Sequence, residues 1–326
     1  MSARTARPAS RFRVTWARRV VQVAALLLFA SPLLMAGWGL LGLGTGGDDA
    51  VATPAELPFF GSLSSSTVGG VEVLDPFALL QVAAASKTFA LDWLVAAAPV
   101  LVVYGLVRGR AFCGWVCPTN LLLEGVDALR RRMGIEVREA PVPRHAKVGV
   151  AVGVVAASAL VGFPLFEAFS PISAINKGIL FGSVAGLAML VAVVLAELFW
   201  GRRVWCRALC PLGGFYQVLG RVGQVNVRFD REACIHCDAC KGACLADPSI
   251  LDPVLTERDV MVRAGDCMAC GACVDACPTH ALAFGLGRGG KAPSAARPES
   301  ESAEAWSAGT GARARGWPLH VQQLVA

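Results

Sequence analysis

Four blocks of almost unbroken apolar residues run through this chain, over Val20–Leu43, Phe89–Val107, Val148–Phe169 and Ile179–Trp200. A helix rises 1.5 Å per residue, so about 20 residues cross a hydrocarbon core of about 30 Å. Each block therefore predicts one membrane-crossing helix. The second is the shortest and carries Asp92 and Pro99. Between the first two blocks, Gly44–Lys87 is longer than a plain connection. Its apolar piece Ala78–Ala85 is too short to span and reads as a re-entrant or interfacial helix. The first block exceeds the h-region of a signal peptide and has no clear A-x-A site, so it is read as a retained helix. After Pro211 the long apolar runs stop.

Composition agrees with that pattern. Hydrophobic residues make up 55% of the chain and charged residues only 17%, far from the balance of a soluble domain. The basic residues are distributed asymmetrically. Arg4, Arg7, Arg11, Arg13, Arg18 and Arg19 precede the first block, and Arg108, Arg110, Arg130, Arg131, Arg132, Arg138, Arg144 and Lys147 lie between the second and third. The other two connections hold Lys87 and Lys177. Positive residues stay on the inner side of a membrane, which predicts a bacterial inner-membrane protein with both termini inside. The expected organisation is a basic N-terminus over 1–19, a four-helix membrane domain over 20–224, a small cysteine-rich domain over 225–286, and a disordered Gly/Ala/Ser/Arg-rich tail over 287–326.

All twelve cysteines fall into four short runs. Two read C-x2-C-x2-C-x3-C: Cys234, Cys237, Cys240, Cys244, then Cys267, Cys270, Cys273, Cys277. This is the spacing of a two-cluster bacterial ferredoxin, in which the fourth cysteine of each run binds the other run's cluster. It predicts one [4Fe–4S] cluster on Cys234, Cys237, Cys240 and Cys277, and another on Cys267, Cys270, Cys273 and Cys244. The small residues Ala239, Ala269, Gly271 and Ala272 let backbone N–H groups approach the sulfides. Pro278 follows the second run as usual, whereas Leu245 follows the first. Structural zinc also uses C-x2-C pairs, but eight cysteines in this duplicated spacing favour clusters. On the reducing inner side, paired cysteines argue for metal and against disulfides. The predicted fold class is thus mostly α, a four-helix polytopic membrane protein with a 2[4Fe–4S] ferredoxin-like domain on the cytoplasmic side.

The other two runs are R-x2-C-x3-C-P, with Cys113 and Cys117 before Pro118, and Cys206 and Cys210 before Pro211. They close two similar halves and predict a parallel repeat. Cysteines four apart share a helix face, and proline is expected to break the helix just beyond. If the halves pack about a twofold axis, the four thiols converge near the inner membrane surface as a third redox or metal site. The alternative is four buried small side chains capping helix ends.

Several chemistries lack their residues. None of His145, His236, His280 and His320 lies in an apolar block, so axial-histidine haem is excluded. There is no C-x-x-C-H, no Walker A run and no dinucleotide fingerprint, and no nucleic-acid partner is expected. Asp92, Glu167 and Glu197 are the carboxylates at membrane depth, and Asp92 is the expected proton acceptor. Glu197 is expected to pair with Arg202 or Arg203.

With these features in order, the chain resembles the NapH/MauN family, ferredoxin-type membrane components of quinol dehydrogenases. The resemblance covers about residues 16–286. It rests on Gly61–Ser66 with Asp75-Pro76, on Phe112-Cys113 to Cys117-Pro118, on Trp205-Cys206 to Cys210-Pro211, and on the two ferredoxin runs. It implies a membrane-bound electron-transfer protein that oxidises quinol. The electrons then pass through a separate periplasmic iron–sulfur protein to a periplasmic redox enzyme such as nitrate reductase. A MauN-like component of methylamine utilisation, or a redox maturation factor for a metalloenzyme, is the alternative.

Overall fold

The computed structural model describes residues 14–35, 59–135, 142–143, 145–175, 184–262 and 265–287. The expected basic N-terminus up to residue 13 and the tail from residue 288 lie outside them. Long helices form over Val14–Met35 (α1), Leu91–Leu106 (α3), Ala146–Val161 (α6) and Val184–Phe199 (α8). Three of these have 16 residues, about 24 Å at the helical rise. The fourth, α1, has 22 but includes Arg18, Arg19 and Gln22. Among the described residues no helix is long and apolar enough to cross a membrane.

The apolar blocks nevertheless turn much of their surface outward. Leu94, Val95, Val102 and Val103 on α3, Val152 and Leu160 on α6, and Val191 and Leu195 on α8 are all exposed, Leu160 at 88%. So large an apolar exterior is unusual for a protein facing water.

The long first connection builds more than its sequence suggested. Phe59–Gly61 (β1), Ser65–Val68 (β2) and Val71–Leu74 (β3) form an antiparallel meander, with Ser66 paired to Gly61 and to Val73. Gly61 lies at φ +135, where an added Cβ would meet Ser65 O at 2.4 Å, so only glycine fits. The helix Pro76–Ser86 (α2) follows, with Asp75 as N-cap, Pro76 in the first turn and Lys87 in the left-handed region at its end. It is buried at its start, through Phe77, Ala78, Leu79 and Gln81, and packs on α6 and α3.

Each C-x3-C-P run forms two elements rather than one helix with a break. Cys113 lies in the short helix Ala111–Trp115 (α4), and Cys206 lies in a π-turn over Trp205–Leu209. Cys117 and Cys210 are extended N-cap residues, so Pro118 and Pro211 begin the helices Pro118–Arg132 (α5) and Pro211–Leu219 (α9). Proline acts here as a helix starter: its fixed φ suits the first turn and its missing N–H is not needed there.

The small domain is an antiparallel sheet in the order β5-β4-β6, from Met261–Val262, Val225–Phe229 and Leu282–Leu286. Val227 faces Val262 and Phe284, which sets the register. Val227, Val254, Met261, Val262 and Leu282 form its buried centre. Leu245, the residue standing where a proline is usual, is buried in the same core. Two short helices, Ala239–Ala243 (α10) and Ala272–Ala276 (α12), pack on each other.

This domain is bonded to the helices at several points. Asp275 of α12 caps α1 by accepting the N–H groups of Val14 at 3.1 Å and Thr15 at 2.8 Å, and the Thr15 hydroxyl at 2.6 Å. Several of the basic residues that predicted an inner face are buried instead. Arg18 pairs with Glu124, and Lys147 with Asp266. Arg108 donates to the carbonyls of Cys267 at 3.2 Å and Val262 at 3.2 Å. Such buried cations are tolerable because each is paired or hydrogen-bonded.

Candidate redox centre

All twelve cysteines are free. The two ferredoxin runs fold alike. His236 (φ 51) and Asp238 (φ 55) in the first match Ala269 (φ 48) and Gly271 (φ 74) in the second, all left-handed. Alternating the backbone this way turns successive N–H groups into a concave nest for negative charge. The His236 N–H reaches Cys234 Sγ at 3.4 Å and the Ala281 N–H reaches Cys277 Sγ at 3.3 Å.

Cys234, Cys237, Cys240 and Cys277 line one cavity, so the fourth wall comes from the opposite run. Cys244 lies instead with Cys267, Cys270 and Cys273, close enough for their charges to be felt. Burial pushes the Cys240 thiol up to about 11, and the neighbouring Cys277 and Cys237 add to it. Burial likewise raises Cys244, Cys270 and Cys273. Thiols so placed keep their protons until a cation replaces them. Among the described residues no three His, Cys, Asp or Glu side chains are grouped to hold a single metal ion. Four cysteines around one cavity suit the broader cube, as Cys234, Cys237, Cys240 and Cys277 do here.

The C-x3-C-P runs meet as well. Cys113, Cys117, Cys206 and Cys210 line a single enclosed cavity, two from each half of the repeat. Burial and then the Cys113 charge push Cys210 up to about 12, and the same two causes act on Cys117. Cys117 and Cys210 cap helix N-termini, and Gly213 N–H points at Cys210 Sγ at 3.3 Å. Arg110 and Arg203, the arginines of the repeated motif, are each 1% exposed. Arg110 donates to Asp266 O at 2.9 Å and Cys206 O at 3.1 Å, while Arg203 donates to Asp127 at 3.1 Å and Asn120 at 2.6 Å. Arg110 and Thr119, which also line this cavity, turn side-chain donors towards Cys113 and Cys117. A pocket with four buried thiols, donors turned on sulfur and fixed cations suits an anionic thiolate-held group.

The walls of this cavity come from more of the chain than the two cysteine runs. Phe166, Pro171 and Ile172 line it, from the connection after α6 that the hydropathy pattern assigned to the far side. The chain folds back after Gly162 (φ 74), and Ser158 Oγ accepts the Leu165 N–H at 3.2 Å. The thiols therefore lie inside the helical body. The ferredoxin domain packs on the helix that carries Cys113. Gly114 is so close that a Cβ there would sit 2.8 Å from Met268 O and 3.6 Å from Cys270 Cβ, and Trp115 Nε1 donates to Ala269 O at 2.9 Å.

Asp92 takes no part in this arrangement; it is exposed in the first turn of α3. Glu197 accepts the backbone N–H groups of Arg203 at 2.5 Å and Trp205 at 3.1 Å, so it caps the turn carrying Cys206, and the Arg203 charge acts on it as well. The functional candidates missed by sequence reasoning are Asp75 and Tyr216, joined at 2.8 Å. The Leu74-Asp75-Pro76-Phe77 string was their only signal.

Comparison with known proteins places the same features. A 4Fe-4S binding domain model matches residues 89–136 and again 183–230, one copy per C-x3-C-P run, and a 4Fe-4S dicluster domain model matches 226–278. The methylamine utilization ferredoxin-type protein MauN of Paracoccus denitrificans is 34% identical over 252 residues, covering 77% of this chain and 82% of that one. The ferredoxin-type protein NapH of Escherichia coli is 35% identical over 220 residues, 67% and 76% of the two chains. The chain belongs to the NapH/MauN family. It is an iron–sulfur electron-transfer protein of ferredoxin type. A putative electron transport protein of Escherichia coli, YccM, is 28% identical over 70% of this chain and 68% of its own. No solved structure matches this NapH/MauN chain.

Proposed function

We propose that this chain is an inner-membrane iron–sulfur carrier that oxidises quinol and hands single electrons towards a periplasmic redox enzyme. One observation carries the reading: the thiols of both C-x3-C-P runs share a cavity, and Gly114, next to Cys113, packs directly on the second ferredoxin run. A two-electron donor meeting that cavity has ferredoxin cysteines beyond Gly114, where one-electron sites would sit. The ferredoxin cysteines hold two [4Fe–4S] clusters in the crossed grouping, and the four cavity cysteines hold a third redox or metal site. The clusters supply one-electron transfer. The protein's own part is to keep the thiols dry, to aim backbone N–H groups at sulfur, and to set the spacing through Trp115, Arg108 and Arg110.

The apolar exterior of α3, α6 and α8 supports a lipid surround. The exposed Arg19, Arg131 and Arg132 support the inner position of both termini and of the ferredoxin domain. The resemblance to NapH implies a periplasmic iron–sulfur partner and a reductase such as nitrate reductase. The MauN relatives are as similar and favour a methylamine-utilisation system, in electron flow or in maturation. The test is anaerobic reduction of the clusters in lipid-reconstituted protein by ubiquinol and menaquinol analogues, read by low-temperature paramagnetic resonance. Reduction supports the carrier; clusters that respond to dithionite but to no quinol leave the maturation role.

A further inference from the structure

Hydroquinone oxidation releases protons as well as electrons, so the electron-accepting cavity needs a base within reach. Asp75 is placed for it. One carboxylate oxygen accepts the Ala78 N–H at 3.1 Å, which caps α2, and the other accepts the Tyr216 hydroxyl at 2.8 Å. Tyr216 is buried, and its ring stacks on Phe112 with centroids 5.4 Å apart. Phe112 lines the thiol cavity and precedes Cys113. Tyr104 closes edge-on against Phe112 at 5.7 Å and Tyr216 at 5.6 Å. The carboxylate thus stands two stacked rings, Tyr216 and Phe112, from the thiol cavity.

A second carboxylate stands nearby. Glu167 lies close enough for its charge to act on Asp75, and Ser64, whose carbonyl accepts the Asp75 backbone N–H at 2.9 Å, holds Glu167 by donating Oγ to its Oε2 at 2.7 Å. Glu167 also accepts the Ser173 hydroxyl at 3.1 Å, and its neighbour Phe166 is another wall of the cavity. Ionisable side chains beside apolar helices are rarely kept without a task.

We propose that Asp75, oriented by Tyr216, is the proton acceptor for a hydroquinone that gives its electrons to the thiol cavity, with Glu167 as the next carboxylate outward. The proposal rests on the quinol reading above. Both hydroquinone O–H bonds break and the ring becomes the quinone. The two electrons leave singly for the iron–sulfur groups held by the cysteines. The first proton goes to Asp75, moves to Glu167 and solvent, and Asp75 then takes the second. The groups facing Asp75 are Tyr216 of α9, Tyr104 of α3 and Glu167 of the short helix Leu165–Phe169 (α7). Burial, opposed by the Tyr216 and Ala78 hydrogen bonds and aided by the Glu167 charge, raises the carboxyl to about 6, near the working pH of a general base.

The experiment uses the full, cluster-loaded chain in lipid nanodiscs, mixed with decylubiquinol or menadiol between pH 5 and 8. Cluster reduction is followed in time, and dithionite gives the total reducible content. Asp75→Asn keeps the helix cap, because asparagine caps as well as aspartate. We expect wild-type dithionite content, a quinol-driven rate lower by about 100-fold or more, and no rise in rate through pH 6. Tyr216→Phe keeps the ring stack and removes a bond that lowers the Asp75 pKa, so its rate rise moves to higher pH. Asp75→Asn clusters reduced by quinol at the wild-type rate and pH profile overturn the proposal while leaving the quinol reading intact. Wild-type clusters reduced by no quinol overturn both.

Discussion

Replacing Gly114 by alanine tests whether the thiol cavity and the ferredoxin run are held in contact. The added Cβ would lie 2.8 Å from Met268 O, 3.3 Å from Met268 Cβ and 3.6 Å from Cys270 Cβ. A carbon sits comfortably about 3.3 Å or more from a carbonyl oxygen, so one wall must retreat by about 0.5 Å. Neither wall is free. The Gly114 carbonyl accepts Gln22 Nε2 at 2.9 Å and Arg18 at 3.4 Å, and the opposite loop is pinned by Trp115 and Arg108. Overpacking of this kind costs about 1–3 kcal/mol. Gly125→Ala is the control. It sits on the exposed face of α5 with nothing within 4 Å, and alanine there gains about 0.5–1 kcal/mol of helix stability. Thermal unfolding of the loaded protein, followed by cluster absorbance, should place G114A below the wild type and G125A at or above it. A G114A midpoint equal to that of the wild type would refute the tight contact.

Asp275→Ala removes three hydrogen bonds to the first residues of α1 and should cost about 1–2 kcal/mol, with faster amide exchange confined to that turn; Asp275→Asn should recover much of it. Replacing Cys113 and Cys206 by serine, one from each half, should lower the total metal bound per chain while leaving about eight iron atoms and the ferredoxin resonance signals. An unchanged metal content would eliminate the third site. The Asp75 carboxyl is raised from 3.8 to about 6, so the folded state binds its proton more tightly than the unfolded chain does. Stability should therefore fall as pH rises from about 4 to about 7, and Asp75→Asn should remove that component from denaturation midpoints taken across the range.

Cysteine spacing carried most of the chemistry. The doubled C-x2-C-x2-C-x3-C run was legible because ligand order is local: three thiolates within seven residues and a fourth beginning the next element. The crossed grouping of Cys244 and Cys277 also follows from spacing, and the packing of α10 on α12 places them so. The R-x2-C-x3-C-P repeat was visible as a repeat, yet its local structure was misread. Proline is compatible with either the end or the start of a helix, and the extended N-cap at Cys117 and Cys210 decided for the start.

Hydropathy determined the number of apolar helices and left their ends and surroundings open. It read the basic residues as solvated, whereas Arg18, Arg108, Arg110, Lys147 and Arg203 are buried, because a cation's partner is set by contacts far along the chain. Asp75 and Tyr216 are 141 residues apart, and the chain after Gly162 returns to the thiols only because Ser158 and Gln81 capture its backbone. Local pattern determined which residues can bind iron and where helices begin. The return of distant segments into one dry cavity belongs to the tertiary structure, since burial and pairing are properties of the whole packed chain.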